Sequence, residues 1–171
     1  FKTLDQKAKP FKINETYYFP VYRKVKQGYF SKFLNRWKHN IEKDENIQSY
    51  LDIVKDFKPD LIQIFGTESE FGMIISETDV PCIIYIQGIL SVINHKWFSG
   101  LSSLDVFRYS QKLRLLKGYG VLHDYYRNIK SVEREKIIYR KCRYFIGRTD
   151  WDKRVSAILA SGSTYFHCDE I

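Results

Sequence analysis

Asp60-Leu61-Ile62-Gln63-Ile64-Phe65-Gly66-Thr67-Glu68 is the stretch on which the fold turns. Leu61 to Phe65 is an apolar run of strand length that ends on a single glycine. Thr67 and Glu70 have capping-box spacing, and Phe71, Met73, Ile74 and Ile75 follow as the apolar side of a helix. The pattern predicts a buried strand that passes through Gly66 directly into a helix N-terminus. Open α/β sheets build ligand sites with this geometry, at the carboxyl ends of their strands.

The same arrangement recurs downstream. Cys82 to Ile86 is a second apolar run, rich in isoleucine, closing on Gln87 and Gly88 after a turn at Asp79 to Pro81. Tyr144 to Ile146 is a third; Gly147 and Arg148 follow it, then Thr149 and Asp152 as another capping box. Trp151, Val155, Ile158 and Leu159 line one face of the helix so begun, with Gly162 where a C-terminal cap belongs. Thr164 to Phe166 starts a last short strand. Strands alternating with helices make βαβ units, and continuous apolar character predicts a parallel sheet covered on both faces. The fold class expected is α/β, with three layers.

The remaining segments fit around that sheet. Residues 1–16 are polar and Lys-rich, and Tyr17 to Val25 reads as a strand. Lys26 to Asn40 carries Phe30, Phe33, Leu34 and Trp37 at helical spacing. Ile47, Tyr50, Leu51, Val54 and Phe57 mark an amphipathic helix that Pro59 stops. Residues 89–108 read as a long loop with some local helix, of the kind that carries function. Tyr109 to Ile129 is helical but interrupted at Gly118 and Gly120. Ser131 to Cys142 reads as a separate helix, with Ser131 as N-cap and Glu133 in its first turn.

At 171 residues the chain is one domain with room for a proper core, and 44% hydrophobic and 16% aromatic content excludes disorder. Three scattered cysteines argue against a disulfide scaffold or a zinc ribbon. Cys82 and Cys142 are expected to be buried free thiols in a reducing cytosol. The longest apolar stretch, Val80 to Leu90, is broken by Gln87 and too short to span a membrane. Phe1, in place of a methionine, reads as a trimmed start. The net charge of +8 is uneven: residues 59–95 hold no Lys or Arg, whereas 96–154 hold 15 of them against six acids. That asymmetry is either a set of solvated helix faces or a basic face for phosphates.

The candidate site is the set of three strand ends: Gly66-Thr67-Glu68, Gln87-Gly88 and Gly147-Arg148-Thr149-Asp150. In a parallel sheet these lie along one edge, and two of them open helices whose free N–H groups suit a phosphate or a sugar hydroxyl. Gly66 and Gly147 are equally tight-turn glycines, and Gln87 is either a buried hydrogen-bonder or a ligand contact. No metal site is expected: His167-Cys168-Asp169-Glu170 are adjacent, which is poor ligand geometry. Nor is nucleic acid expected as a partner. The basic and aromatic residues of 107–148 interleave with helical core periodicity and match no recognition motif.

Ile64-Phe65-Gly66-Thr67-Glu68, Val80 to Gly88, Glu133, and Tyr144 to Asp152 together resemble the N-terminal domain of retaining glycosyltransferases of the group 1 (family four) type. Tyr165 to Glu170 resembles the segment that follows in one bacterial subset. The similarity covers roughly residues 58–171, and Gly147-Arg148-Thr149-Asp150-Trp151-Asp152 is its most specific part. The resemblance implies a two-domain GT-B architecture with Rossmann-like halves, residues 1–171 being the acceptor-side half. It implies a nucleotide-sugar donor, a saccharide or lipid-linked acceptor, no cofactor and no metal, in polysaccharide biosynthesis. On this basis Gly66, Thr67 and Glu68 line the acceptor side, while Gln87, Gly88, Arg148, Thr149 and Asp150 approach the donor and the transferred sugar. The family's first strand with its glycine-rich loop, and its C-terminal donor-binding domain with a glutamate pair, are not recognisable in the chain. A fragment of this kind is expected to be inactive alone. Localisation is expected to be cytoplasmic, with the basic surface of 96–154 resting on the inner face of the membrane. A non-catalytic Rossmann-like ligand-binding module and a nucleotide-sugar epimerase half are the alternatives.

Overall fold

The computed structural model describes residues 1–22, 47–110 and 119–169. The helix expected over 26–40 and the interruption at Gly118 lie outside them. Four strands, β5 (Ile62–Phe65), β6 (Cys82–Tyr85), β7 (Tyr144–Gly147) and β8 (Thr164–His167), form one parallel sheet in chain order. They are the apolar runs that the sequence marks, each trimmed or extended by a residue. The amino-terminal region adds two small pairs. β1 (Lys2–Thr3) runs parallel to β4 (Val21–Tyr22), and β2 (Phe11–Ile13) antiparallel to β3 (Thr16–Tyr18).

Register explains where the core sits. Ile64, Ile84 and Phe145 lie side by side across β5, β6 and β7, all buried, and meet Ile138, Tyr139 and Val155 from the helices. Tyr139 stacks on Phe145 with ring centroids 4.9 Å apart. Neighbouring parallel strands joined in one direction by right-handed crossovers receive every connection on the same face. The opposite face shows the consequence: Phe65 is 64% exposed and Phe166 47%. The second helix layer expected from continuously apolar strands is not seen among the described residues.

α1 (Ile47–Phe57) follows the predicted spacing and closes with Lys58 in the left-handed region, directly before Pro59. After β6 the expected loop is largely helical, with α2 (Leu90–His95) and α3 (Ser103–Tyr109), the latter opened by a Ser102–Asp105 capping box. α4 (Val121–Lys141) is continuous, whereas two helices were expected. Ser131 is not a cap: its hydroxyl bonds back to the Arg127 carbonyl at 3.4 Å, which lets serine sit inside a helix. Glu133 is therefore mid-helix and exposed. α5 (Asp150–Leu159) begins with the expected Thr149–Asp152 capping box.

The Thr67–Glu70 capping box does not form. Glu70 to Ser76 is a 3-10 helix with Ser69 at its N-cap and no side-chain cap. Gly72 within it lies so close to α4 that a Cβ would stand 2.7 Å from Ile138. Glu70 instead points inward, 3% exposed, accepting from the Tyr50 hydroxyl at 3.0 Å and pairing with Lys2 at 2.5 Å. It joins β1 and α1 to the main sheet beside the second apolar cluster of Val21, Tyr50 and Ile74. Burial alone would raise the Glu70 carboxyl, but the Lys2 hydrogen bond and charge outweigh it and hold it below the ordinary 4.5. A carboxyl lowered in the folded state stabilises the fold above its unfolded value and loses that contribution as pH falls through the folded one. Urea unfolding is thus expected to weaken below about pH 4.5. Glu70→Gln should flatten that slope while lowering stability at pH 7; an unchanged acid limb would exclude Glu70 as its origin.

Cys82 and Cys142 are buried free thiols, as expected, and Cys168 is exposed. Burial pushes the Cys82 thiol up to about 11 and raises Cys142 in the same direction. No helix among the described residues is long and apolar enough to cross a membrane.

Candidate functional site

The three predicted strand ends do lie along the carboxyl edge of the sheet, since β5, β6 and β7 are parallel neighbours. At the first, Gly66 has φ 70 and donates its N–H to the Tyr85 carbonyl at 2.9 Å. That left-handed turn folds the exposed Glu68 side chain back over the glycine, into the space a Cβ would fill. The same carboxylate reaches the second strand end: Glu68 Oε1 stands 3.3 Å from where a Gly88 Cβ would be. Two glycines thus leave room for one carboxylate to bridge the ends of β5 and β6.

Beneath this bridge is a buried support that the sequence reading missed. Glu135, fully buried on α4, accepts from the Thr67 hydroxyl, the Leu90 N–H and the Ser91 N–H, each at 2.8 Å. It ties the turn after β5 to the start of α2. The neighbouring Arg134 donates through Nη2 to the Glu68 carbonyl at 2.6 Å. Thr67 is 1% exposed, so it orders the wall from inside and does not face a ligand. A signal for Glu135 existed: Val132, Glu135, Ile138 and Tyr139 fall at helical core spacing, which places an acid on the buried side. Glu133, two residues earlier, faces solvent.

Gln87 is exposed, which removes the buried hydrogen-bonder alternative. At the third strand end Gly147 is packed tightly: a Cβ would stand 2.7 Å from the Asp152 Cβ and 2.8 Å from the Tyr165 ring and hydroxyl. Asp152 Oδ2 accepts from the Arg148 and Thr149 N–H groups at 3.0 and 3.1 Å, while Thr149 Oγ1 accepts from the Asp152 N–H. Arg148 carries its guanidinium across to β6, 6.0 Å from the Tyr85 ring centroid. The edge therefore gathers Glu68, Gln87 and Arg148 beside the exposed ring of Phe65, which meets Tyr85 edge-on at 5.7 Å.

The electrostatics redefine what this edge can hold. The helix start expected to attract phosphate at Gly147 is already occupied by Asp152, with Asp150 beside it in the first turn of α5. A phosphate would also meet Glu68. An uncharged hydroxyl fits better, because it donates to a carboxylate and accepts from an arginine or an amide at once. Three other basic residues lie at the opposite edge of the sheet. Arg140, Lys141 and Arg143 line a groove of 680 Å³ at the amino edge of the sheet, and Lys141 and Arg143 also border a second of 400 Å³. Arg140 and Lys141 occupy the last turn of α4, where cations complement the helix dipole. Among the described residues no three His, Cys, Asp or Glu side chains converge as metal ligands. No protein-family model, curated protein or solved structure matches the chain.

Proposed function

We propose that the chain is the acceptor-binding half of a nucleotide-sugar-dependent glycosyltransferase, its sheet being one Rossmann-like half of a GT-B architecture. The observation that carries this is the Glu68 carboxylate bridging Gly66 and Gly88, with Arg148 held over Tyr85 alongside. Those residues come from the segments that resemble the glycosyltransferase domain, and their chemistry suits sugar hydroxyls better than phosphate. In this scheme Gly66 and Glu68 form the acceptor wall, Thr67 and Glu135 hold it, and Gln87, Gly88 and Arg148 face the sugar being transferred. Thr149 and Asp150 border that side. The nucleotide and the catalytic groups belong to a facing Rossmann-like half, so the chain alone binds a saccharide without turning it over.

A hydrogen bond to a charged group contributes about 1.5–3 kcal/mol, or roughly 10- to 100-fold in affinity. Glu68→Gln and Arg148→Ala are each expected to weaken saccharide binding by about that factor, read by NMR titration with a panel of neutral oligosaccharides. Both side chains reach the surface, so thermal unfolding should move little. The same substitutions should slow sugar transfer in a protein that includes the donor-binding half. Wild-type affinity and wild-type turnover in both variants would sink the proposal.

A further inference from the structure

At the amino edge of the sheet, the 680 Å³ groove lies where α4 and α5 end. Arg140, Lys141 and Arg143 line it together with Ser161, Gly162 and Ser163, and no acidic residue is among its lining. All three cations are exposed, and among the described residues no carboxylate pairs with any of them. Helical spacing supplies no partner either. The positions three and four before Arg140 are Ile137 and Lys136, and before Lys141 they are Ile138 and Ile137. Asp79 borders the neighbouring 400 Å³ groove, which shares Lys141 and Arg143, yet it forms no ion pair with them.

Two helix ends neutralise only part of this charge. The C-termini of α4 and α5 each carry about half a negative charge, so three full positive charges leave a surplus of about two. Exposed like charges repel, so the stability of the fold does not explain why the three share one groove. Ser161 and Ser163 add hydroxyl donors, and the space beside Gly162 is open. We propose that the groove binds a soluble di- or oligophosphate, with Arg140 and Arg143 as paired donors and Lys141 as a point charge. Arginine presents a planar fork that matches phosphate oxygens, and a surplus of about two charges calls for a multiply charged anion. The volume sets the size of the ligand: 680 Å³ falls within the roughly 300–1,000 Å³ of small-molecule sites and exceeds what one phosphate group fills. This site lies at the opposite edge of the sheet from Glu68 and Arg148, and it does not rest on the acceptor assignment.

The test titrates inorganic pyrophosphate into the 171-residue chain at low salt, followed by backbone amide NMR. Saturable shifts are expected at Arg143, Ser161, Gly162 and Ser163, with weaker binding of sulfate. Arg140→Ala/Arg143→Ala should weaken pyrophosphate at least about tenfold, since each hydrogen bond to a charged group carries that factor. Both side chains are exposed, so thermal unfolding should hardly move. Arg143→Lys keeps the charge but loses the fork, and should fall between the wild type and the double variant. Wild-type affinity in the double variant, or no saturation at millimolar pyrophosphate, would overturn the proposal. Shifts centred on the amides of Arg148 to Asp152 would place the anion at the carboxyl edge and overturn it too. Phosphatidylglycerol vesicles that bind the chain and are not displaced by pyrophosphate would assign the three cations to a bilayer surface instead.

Discussion

Glu135→Ala is expected to lower the unfolding free energy by about 3–5 kcal/mol, a large share of the 5–15 kcal/mol typical of a domain. The carboxylate accepts three hydrogen bonds at full burial, and alanine would leave the Thr67 hydroxyl and the Leu90 and Ser91 N–H groups without an acceptor. Each buried donor so stranded costs on the order of 1–3 kcal/mol, offset in part because a buried charge disappears. Glu135→Gln should cost less but not recover wild type. Thr67 and Leu90 both bond Oε1 and Ser91 bonds Oε2, so an amide must turn its NH₂ toward a donor. Glu133→Ala, exposed on the same helix, is the control and should stay within about 0.5 kcal/mol. Urea unfolding of the three variants reads this directly. Wild-type stability in Glu135→Ala would show that the hub contributes nothing. Saccharide affinity should fall alongside stability, because Thr67 and Ser91 are the points that hold the Gly66–Glu68 turn and the start of α2 in place.

Equal spacing in the sequence led to two different outcomes, and the reason is physical. Thr149 and Asp152 form the box that their separation predicts, because among the described residues no distant side chain bonds to the side chain of either. Thr67 and Glu70 have the same separation, yet each has a stronger tertiary partner. Glu135 takes the threonine from 68 residues away, and Tyr50 and Lys2 take the glutamate. Local spacing contains no trace of those partners. The strands were legible because apolar, β-branched runs of strand length ended on glycine, and the carboxyl edge followed once the strands were parallel. Which side chains of the second face stay exposed among the described residues was not legible. An apolar run reads alike whether its second face is packed or, as at Phe65 and Phe166, exposed. The continuity of α4 was hidden for a similar reason: a serine that could cap a helix start can also bond back to a carbonyl within one.

Gly147→Ala is expected to cost about 2–3 kcal/mol, against the small gain that replacing a strand glycine with alanine ordinarily brings. The added methyl would stand 2.7 Å from the Asp152 Cβ and 2.8 Å from the Tyr165 ring and hydroxyl. Tyr165 has some freedom, although its hydroxyl donates to the Thr149 carbonyl at 3.1 Å. Asp152 has almost none, because its carboxylate is held by the Arg148 and Thr149 N–H groups within the cap of α5. Relief must therefore come from moving the start of α5 away from β7. That shift would open the capping box and draw Arg148 off Tyr85, so stability and saccharide affinity should fall together. Removing the ring in Gly147→Ala/Tyr165→Ala should ease the steric conflict without abolishing it, since the Asp152 contact remains. Comparing this pair with Tyr165→Ala alone in urea unfolding isolates the coupling, expected to lie within the 0.5–3 kcal/mol found for residues in contact. If Gly147→Ala proved as stable as wild type, β7 and α5 would not be packed at the distance that sets Arg148 at the strand-end edge. The glycine would then be an ordinary turn residue, and the position of the arginine would need another cause.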